Sequence, residues 1–273
     1  MMDLSINKDT QLCMSLAARP GNFGTRFHNF LYRELGLNYI YKAFTTRDLA
    51  AAIGGIRALG IRGCAVSMPF KEACIEYLDE LDASARGIMS VNTIVNTDGY
   101  LKAYNTDYTA VSELIRSNGI PKNTRFALRG SGGMAKAVAC ALKDAGFADG
   151  IVLARNEEAG SALARQYGFR WKKKLEDESP GLLVNVTPVG MAGGAEADQL
   201  SFSKELTRMA QFVFDVVALP PETPLIRLAS SLGKKTISGA AVIALQAVEQ
   251  FVLYTGVRPD TELIQKAAAF ARS

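Results

Sequence analysis

Short apolar runs alternate with amphipathic stretches along most of the chain. That alternation predicts an α/β protein with mostly parallel sheets. QLCMSLA (11–17), YIYKAF (39–44) and RGCAVSM (62–68) read as strands. Between them, 23–35 and 47–59 carry helical periodicity. Pro69 falls at the expected first turn of a helix, where its missing N–H costs nothing. TIVNTDGYLKAY (93–104) places Asp98-Gly99 between two runs of β-forming residues, a hairpin signal. A helix is expected over 107–117.

Asn118 to Asn123 is a break rich in turn formers, and a second series follows it. RFALRG (125–130) predicts a strand, a glycine turn comes next, and a helix runs to about Ala145. IVLAR (151–155) predicts another strand and 157–167 another helix. LLVNV (182–186) and FVFDVV (212–217) are short, predominantly apolar runs, as central parallel strands tend to be. Two helical segments, 241–256 and 261–272, close the chain.

With 273 residues, 48% apolar and 21% charged, the chain is globular and long enough for one large domain or two smaller ones. A net charge of +4, from 31 basic and 27 acidic residues, suits anionic small molecules. The basic residues are spread along the chain, so no nucleic-acid partner is expected. Lys172-Lys173-Lys174 is the only notable charge run. A solvated strand end or loop is its preferred reading over a phosphate site. Four cysteines without CxxC spacing and a single histidine argue against a metal site and a disulfide framework. His28 is the only candidate histidine base, but on an amphipathic helix it reads as packing or surface rather than chemistry. The N-terminal stretch lacks an apolar run, and no stretch reaches the ~20 residues of a membrane span, so a soluble cytoplasmic protein, monomer or homodimer, is expected.

Gly130-Ser131-Gly132-Gly133-Met134-Ala135 fits G-x-G-x-x-A between an expected strand and helix, a dinucleotide fingerprint. The first glycine permits the tight turn and the second lets a pyrophosphate approach the backbone. The small third residue lets helix and strand pack closely. The next strand ends Ala154-Arg155-Asn156. An acidic residue there would accept from a ribose hydroxyl. Arg155 cannot accept, but can pair with a 2′-phosphate, so NADP is expected. Glu157 and Glu158 would weaken such a site if they faced it; first-turn carboxylates of the next helix are their preferred role.

Polar groups gather at three expected strand ends: Ser67 to Lys71, Ser90 to Thr93, and Asn105 to Asp107. With these residues in view, the chain resembles the shikimate dehydrogenase family over nearly its whole length. The matching stretches are VSMPFKE (66–72), SVNTI (90–94), NTD (105–107), GSGGMAKA (130–137), NVTPVGM (185–191) and GAAVIALQA (239–247). The resemblance implies reversible NADP-linked oxidation of shikimate to 3-dehydroshikimate, with Lys71 and Asp107 as the catalytic pair. Lys71 would relay the hydroxyl proton and Asp107 would orient the partners. Free lysine titrates near 10.4, so the site either lowers it or uses the charged ammonium to polarise the oxygen. Asn92 resembles the family asparagine that bonds a ring hydroxyl, and Gln246 its late glutamine. Asn22 and Ser67 are further substrate-side positions, and Thr187 and Gly239 join the glycine loop, Arg155 and Asn156 on the cofactor side. The plainer alternatives are an exposed helical lysine at 71 and a helix N-cap at Asp107.

Two departures bear on the substrate, a small hydroxylated cyclic carboxylic acid. The family's Ser-x-Ser carboxylate anchor corresponds here to Asn22 and Gly24, and alanine (Ala218) stands where a tyrosine commonly follows the DVV-like strand. Thr25 can still donate. The second basic residue of the family's nucleotide strand is also missing, in Asn156 to Ala159. A divergent paralogue with weak shikimate turnover is therefore expected. Its catalytic domain would be 1–107 completed by 239–273, with a Rossmann-type domain over 108–238 and substrate bound between them. Rival readings are a quinate or amino-shikimate dehydrogenase using NAD, and a non-catalytic dinucleotide sensor.

Overall fold

The apolar runs of the first half become strands that place Cys13, Met14 and Leu16, then Tyr41, then Gly63, Cys64 and Val66 in the interior. The computed structural model describes residues 6–176 and 178–273. It divides into two units. One comprises the chain up to Thr106 with Ala244–Ser273, the other Asp107–Ile243.

The first unit holds strands β1 (Gln11–Leu16), β2 (Tyr39–Phe44), β3 (Gly63–Val66), β4 (Glu80–Leu81), β5 (Thr93–Thr97) and β6 (Tyr100–Tyr104) in the order β2-β1-β3-β5-β6-β4. The β1–β2 and β1–β3 pairs are parallel, while β3–β5 and β5–β6 are antiparallel. The β5–β6 turn has Asp98 at φ 52° and Gly99 at φ 87°, the positive pair that Asp-Gly signals. Helices α1 (Phe23–Glu34), α2 (Leu49–Ala58), α3 (Phe70–Ala73) and α4 (Ala83–Arg86) connect the strands. Pro69 proves to be the residue before α3 rather than its first helical position, and the Met68–Pro69 bond is cis.

Helix α5 (Thr106–Ser117) leads into the second unit. Asp107 is the second residue of this helix, two beyond the N-cap position at Asn105. This unit's sheet contains β7 (Phe126–Arg129), β8 (Gly150–Leu153), β9 (Arg170–Lys172), β10 (Leu182–Asn185), β11 (Phe212–Asp215) and β12 (Lys235–Ser238). All pairs are parallel and the order is β12-β11-β10-β7-β8-β9. Counted from β9 this is 3-2-1-4-5-6, the dinucleotide-binding order, with its switch point between β7 and β10. Helices α6 (Gly133–Asp144), α7 (Glu157–Tyr167), α8 (Lys204–Met209) and α9 (Pro224–Ser231) accompany it.

Helix α10 (Gly239–Thr255) carries the chain back to the first unit, and α11 (Thr261–Arg272) ends it. There Phe251 and Tyr254 of α10 join Phe27, Leu31 and Tyr32 of α1 and Ala267 and Ala268 of α11 in one core. Gly63 permits this approach: a Cβ there would sit 2.2 Å from Tyr254 Cδ1. The four cysteines are free and buried. Burial pushes Cys13 and Cys74 up to about 12, so both are neutral thiols. Among the described residues, no helix is long and apolar enough to cross a membrane.

Candidate active site

In the second unit the chain leaves β7 through Gly130, whose φ is 129°. A Cβ at Gly130 would meet Val186 Cγ2 at 2.7 Å, so only glycine makes this turn against the neighbouring loop. Gly132 then caps α6, and Ala135 is fully buried where the helix meets the sheet. Beside Gly132 and Gly133 a Cβ would meet nothing, which leaves the first-turn N–H groups of α6 open to an anion.

A cavity of about 560 Å³ opens there, and Gly130, Ser131, Gly132, Arg155, Asn156 and Thr187 all line it. Gly133, Met134, Ala135 and Gly239 are not on its wall. Strand β8 ends at Leu153, so Arg155 stands in the following bend instead of ending the strand. Asn156 is the N-cap of α7, its side chain accepting from Ala159 N at 3.0 Å. Glu157 and Glu158 occupy the first turn of α7, where the helix dipole favours them.

The loop carrying Thr187 is fixed from below by side chains that the sequence reading did not single out. Thr187 Oγ1 donates to Asn185 Oδ1 at 2.6 Å, and Asn185 Nδ2 donates to Asp215 Oδ1 at 2.9 Å. Asp215 also accepts from Thr223 Oγ1 (2.6 Å) and Val217 N (3.1 Å). Burial raises the pKa of Asp215 and these three donors oppose the rise. A polar residue ending each of two otherwise apolar strands was the available signal. Gly239 serves packing: a Cβ would lie 2.2 Å from Val216 O and 2.4 Å from Val217 C.

In the first unit, Ser67 is exposed just after β3 and Lys71 is half-buried in the single turn of α3. The Lys71 carbonyl accepts from Val91 N at 2.8 Å, tying two of the three polar segments together. The third is tied in by Asn105 Nδ2, which donates to Ser90 O at 2.9 Å. Asn92 Oδ1 accepts from Thr106 N at 2.8 Å and from Thr93 Oγ1 at 2.8 Å, and Asn92 Nδ2 donates to Thr106 Oγ1 at 3.0 Å. Its carboxamide thus holds the start of α5, the turn that carries Asp107. Gln246 Oε1 accepts from Thr106 Oγ1 at 3.3 Å, and among the described residues its Nε2 has no partner. Asn92, Thr106 and Gln246 are therefore brought together, whereas Asn22 stands apart, exposed at the start of α1 with no capping bond.

A protein-family model for the shikimate dehydrogenase substrate binding domain matches residues 23–94. A shikimate dehydrogenase-like protein of Haemophilus influenzae is 60% identical over 98% of this chain and 99% of that protein. The shikimate dehydrogenase (NADP(+)) of Pyrococcus abyssi is 35% identical over 88% of this chain and 90% of that one. The chain belongs to the shikimate dehydrogenase family. The fold agrees with a solved family member. The shikimate 5-dehydrogenase of Thermus thermophilus, in complex with NADP(H) and shikimate, superposes with a TM-score of 0.84 at 30% identity over 96% of this chain and 99% of that one.

In this family member, His28 is neither a base nor a surface residue. Its ring is fully buried and stacks on Tyr41 at 4.5 Å, with Phe27, Tyr32, Phe251 and Tyr254 around it. Burial lowers its pKa to about 3, and the Gln250 carboxamide offsets that only in part. At Gly24 an added Cβ would lie 3.4 Å from Tyr41 Oη, an ordinary contact, so the position accepts a side chain. The neighbouring Thr25 Oγ1 is buried and, among the described residues, has no hydrogen-bond partner.

Proposed function

We propose that this chain is an NADP-dependent oxidoreductase that oxidises shikimate, or a closely related hydroxylated cyclic acid, reversibly to the 3-dehydro acid. The observation that carries the reading is the cavity itself. The glycine turn and open α6 N-terminus suit a pyrophosphate, and Arg155 takes the ribose end, where an NAD site would present a carboxylate. In this reading the second unit holds NADP and the first holds the acid. Gly130, Ser131, Gly132 and Thr187 would hold the cofactor, and Arg155 would pair with its 2′-phosphate. When bound, NADP takes up the hydride from the carbinol carbon.

The chain's residues manage the proton and the ring. Lys71 Nζ receives the hydroxyl proton as the carbonyl forms, and returns it in the opposite direction. Asp107 orients the Lys71 side chain and the hydroxyl. Gln246 Nε2 is a donor toward the substrate, and Asn92 acts through Thr106 by fixing the turn that carries Asp107. Ser67 and Asn22 remain on the acid side. With asparagine and glycine at the anchor, shikimate turnover is weak compared with a Ser-x-Ser member.

Changing Lys71 to Met tests the assignment. The variant should bind NADP like the wild type and lose about 10²–10⁴-fold in kcat, the usual worth of a positioned acid–base group. Wild-type turnover would defeat it.

A further inference from the structure

Three lysines stand in a row at 172–174, and the fold separates their roles. Lys172 belongs to β9, and its Nζ lies 2.7 Å from Glu178 Oε1, a carboxylate that also takes Arg170 at 3.0 Å. Lys173 and Lys174 sit in the bend after β9, exposed, on the wall of the same cavity as Arg155 and the glycine turn. Among the described residues, Lys173, Lys174 and Arg155 have no carboxylate partner. The cavity's own carboxylate, Glu196, attracts the Arg129 guanidinium behind the turn. Three cations on the wall of one cavity form a positive field that an anion would relieve.

The chemistry of the expected ligand needs more than one of them. A phosphate monoester carries about −1.5 to −2 charges at neutral pH, which a single guanidinium leaves undercompensated. Helix α7 supplies no further cation beside Arg155. Its first turn carries Glu157 and Glu158, followed by Ala159. The available positive charge comes from the neighbouring strand instead.

We propose that Lys173 and Lys174 supply the second positive pole for the ribose 2′-phosphate and, with Arg155, select NADP over NAD. This rests on the reading of the cavity as the NADP site. Both lysines are specificity-determining residues outside the loop that carries Arg155.

The test is cofactor binding by titration calorimetry on the full chain, with NADP, NAD, adenosine 2′-monophosphate and adenosine 5′-monophosphate as probes. Lys173→Gln/Lys174→Gln should weaken NADP and adenosine 2′-monophosphate on the order of 10-fold, leaving NAD and the 5′-monophosphate within about twofold. The salt dependence of NADP binding should flatten in the same variant. Lys173→Arg/Lys174→Arg should restore wild-type preference, and equal melting temperatures establish that all forms are folded. NADP selectivity lost in Arg155→Gln but kept in the double lysine variant would overturn the lysine assignment and leave the NADP reading standing. Equal weakening of NAD and NADP by the lysine changes would also overturn the assignment. A wild type that binds both dinucleotides alike would overturn the assignment and the NADP reading together.

Discussion

The buried imidazole makes the stability of the first unit depend on pH in a way that can be worked out in advance. His28 is the chain's single histidine, enclosed by Phe27 and Tyr32 of its own helix, Tyr41 of β2, and Phe251 and Tyr254 of α10. Among the described residues, neither ring nitrogen has a hydrogen-bond partner. Gln250 spends its Nε2 on Asn92 O and Thr93 Oγ1. Burial holds the folded-state pKa near 3, below the ordinary 6.5. The unfolded chain therefore binds more protons between those values, and stability rises with pH across that window. The contribution is full above 6.5 and is lost as pH falls toward 3. At about pH 4 the loss is about 3 kcal/mol, from 1.36 kcal/mol per unit over the part of the window already crossed. The surrounding phenols of Tyr32, Tyr41 and Tyr254 are pushed upward by burial, as is the Cys13 thiol, so none of them titrates there. Urea unfolding of the wild type and of His28→Leu, at neutral pH and at about pH 4, isolates the effect. The variant should lose about 3 kcal/mol less than the wild type on acidification. Equal acid sensitivity of the two proteins, or an imidazole NMR signal titrating near 6.5, would refute the reasoning.

Two further outcomes follow from the packing and the anchor. Gly239→Ala drives a Cβ into the Val216 carbonyl, so it should cost about 1–3 kcal/mol or more of stability in denaturant unfolding, while an unchanged midpoint would contradict that contact. Asn22→Ser/Gly24→Ser should raise kcat/KM for shikimate by about tenfold, less than the full worth of two charge-assisted hydrogen bonds because Thr25 and solvent already compensate; an unchanged value would show the carboxylate bound elsewhere.

Local signals in the sequence carry far. The α7 bounds agree with the expected 157–167 because Asn156 caps one end and Gly168, at φ 75°, stops the other. The Asp98-Gly99 turn and the Gly130 turn are legible because each demands a backbone that few residues adopt. Pairings distant along the chain are not legible. Nothing local reveals that the Asn92 carboxamide oxygen and one of its N–H groups are bonded to Thr93 and Thr106. The Asn185–Asp215–Thr223 network joins three separate elements and leaves only polar residues at apolar strand ends as a sign. The lysine run reads as a charged strand end or loop because the three residues of β9, Arg170 to Lys172, are mostly polar and sit at a sheet edge. The run alone therefore hides the position of Lys173 and Lys174 beside Arg155. His28 leaves packing and surface open, since its aromatic neighbours come from three elements.

Hydride transfer between NADP and a hydroxylated cyclic acid is the proposed reaction of this chain. Initial rates followed by nicotinamide absorbance, for shikimate, quinate and related acids with NADP and with NAD in parallel, test it most directly. NADP-dependent oxidation of shikimate or a near analogue is expected, with NADP favoured over NAD by kcat/KM for each acid that reacts. Dinucleotide binding without oxidation of any acid in the panel, or a preference for NAD, would contradict it.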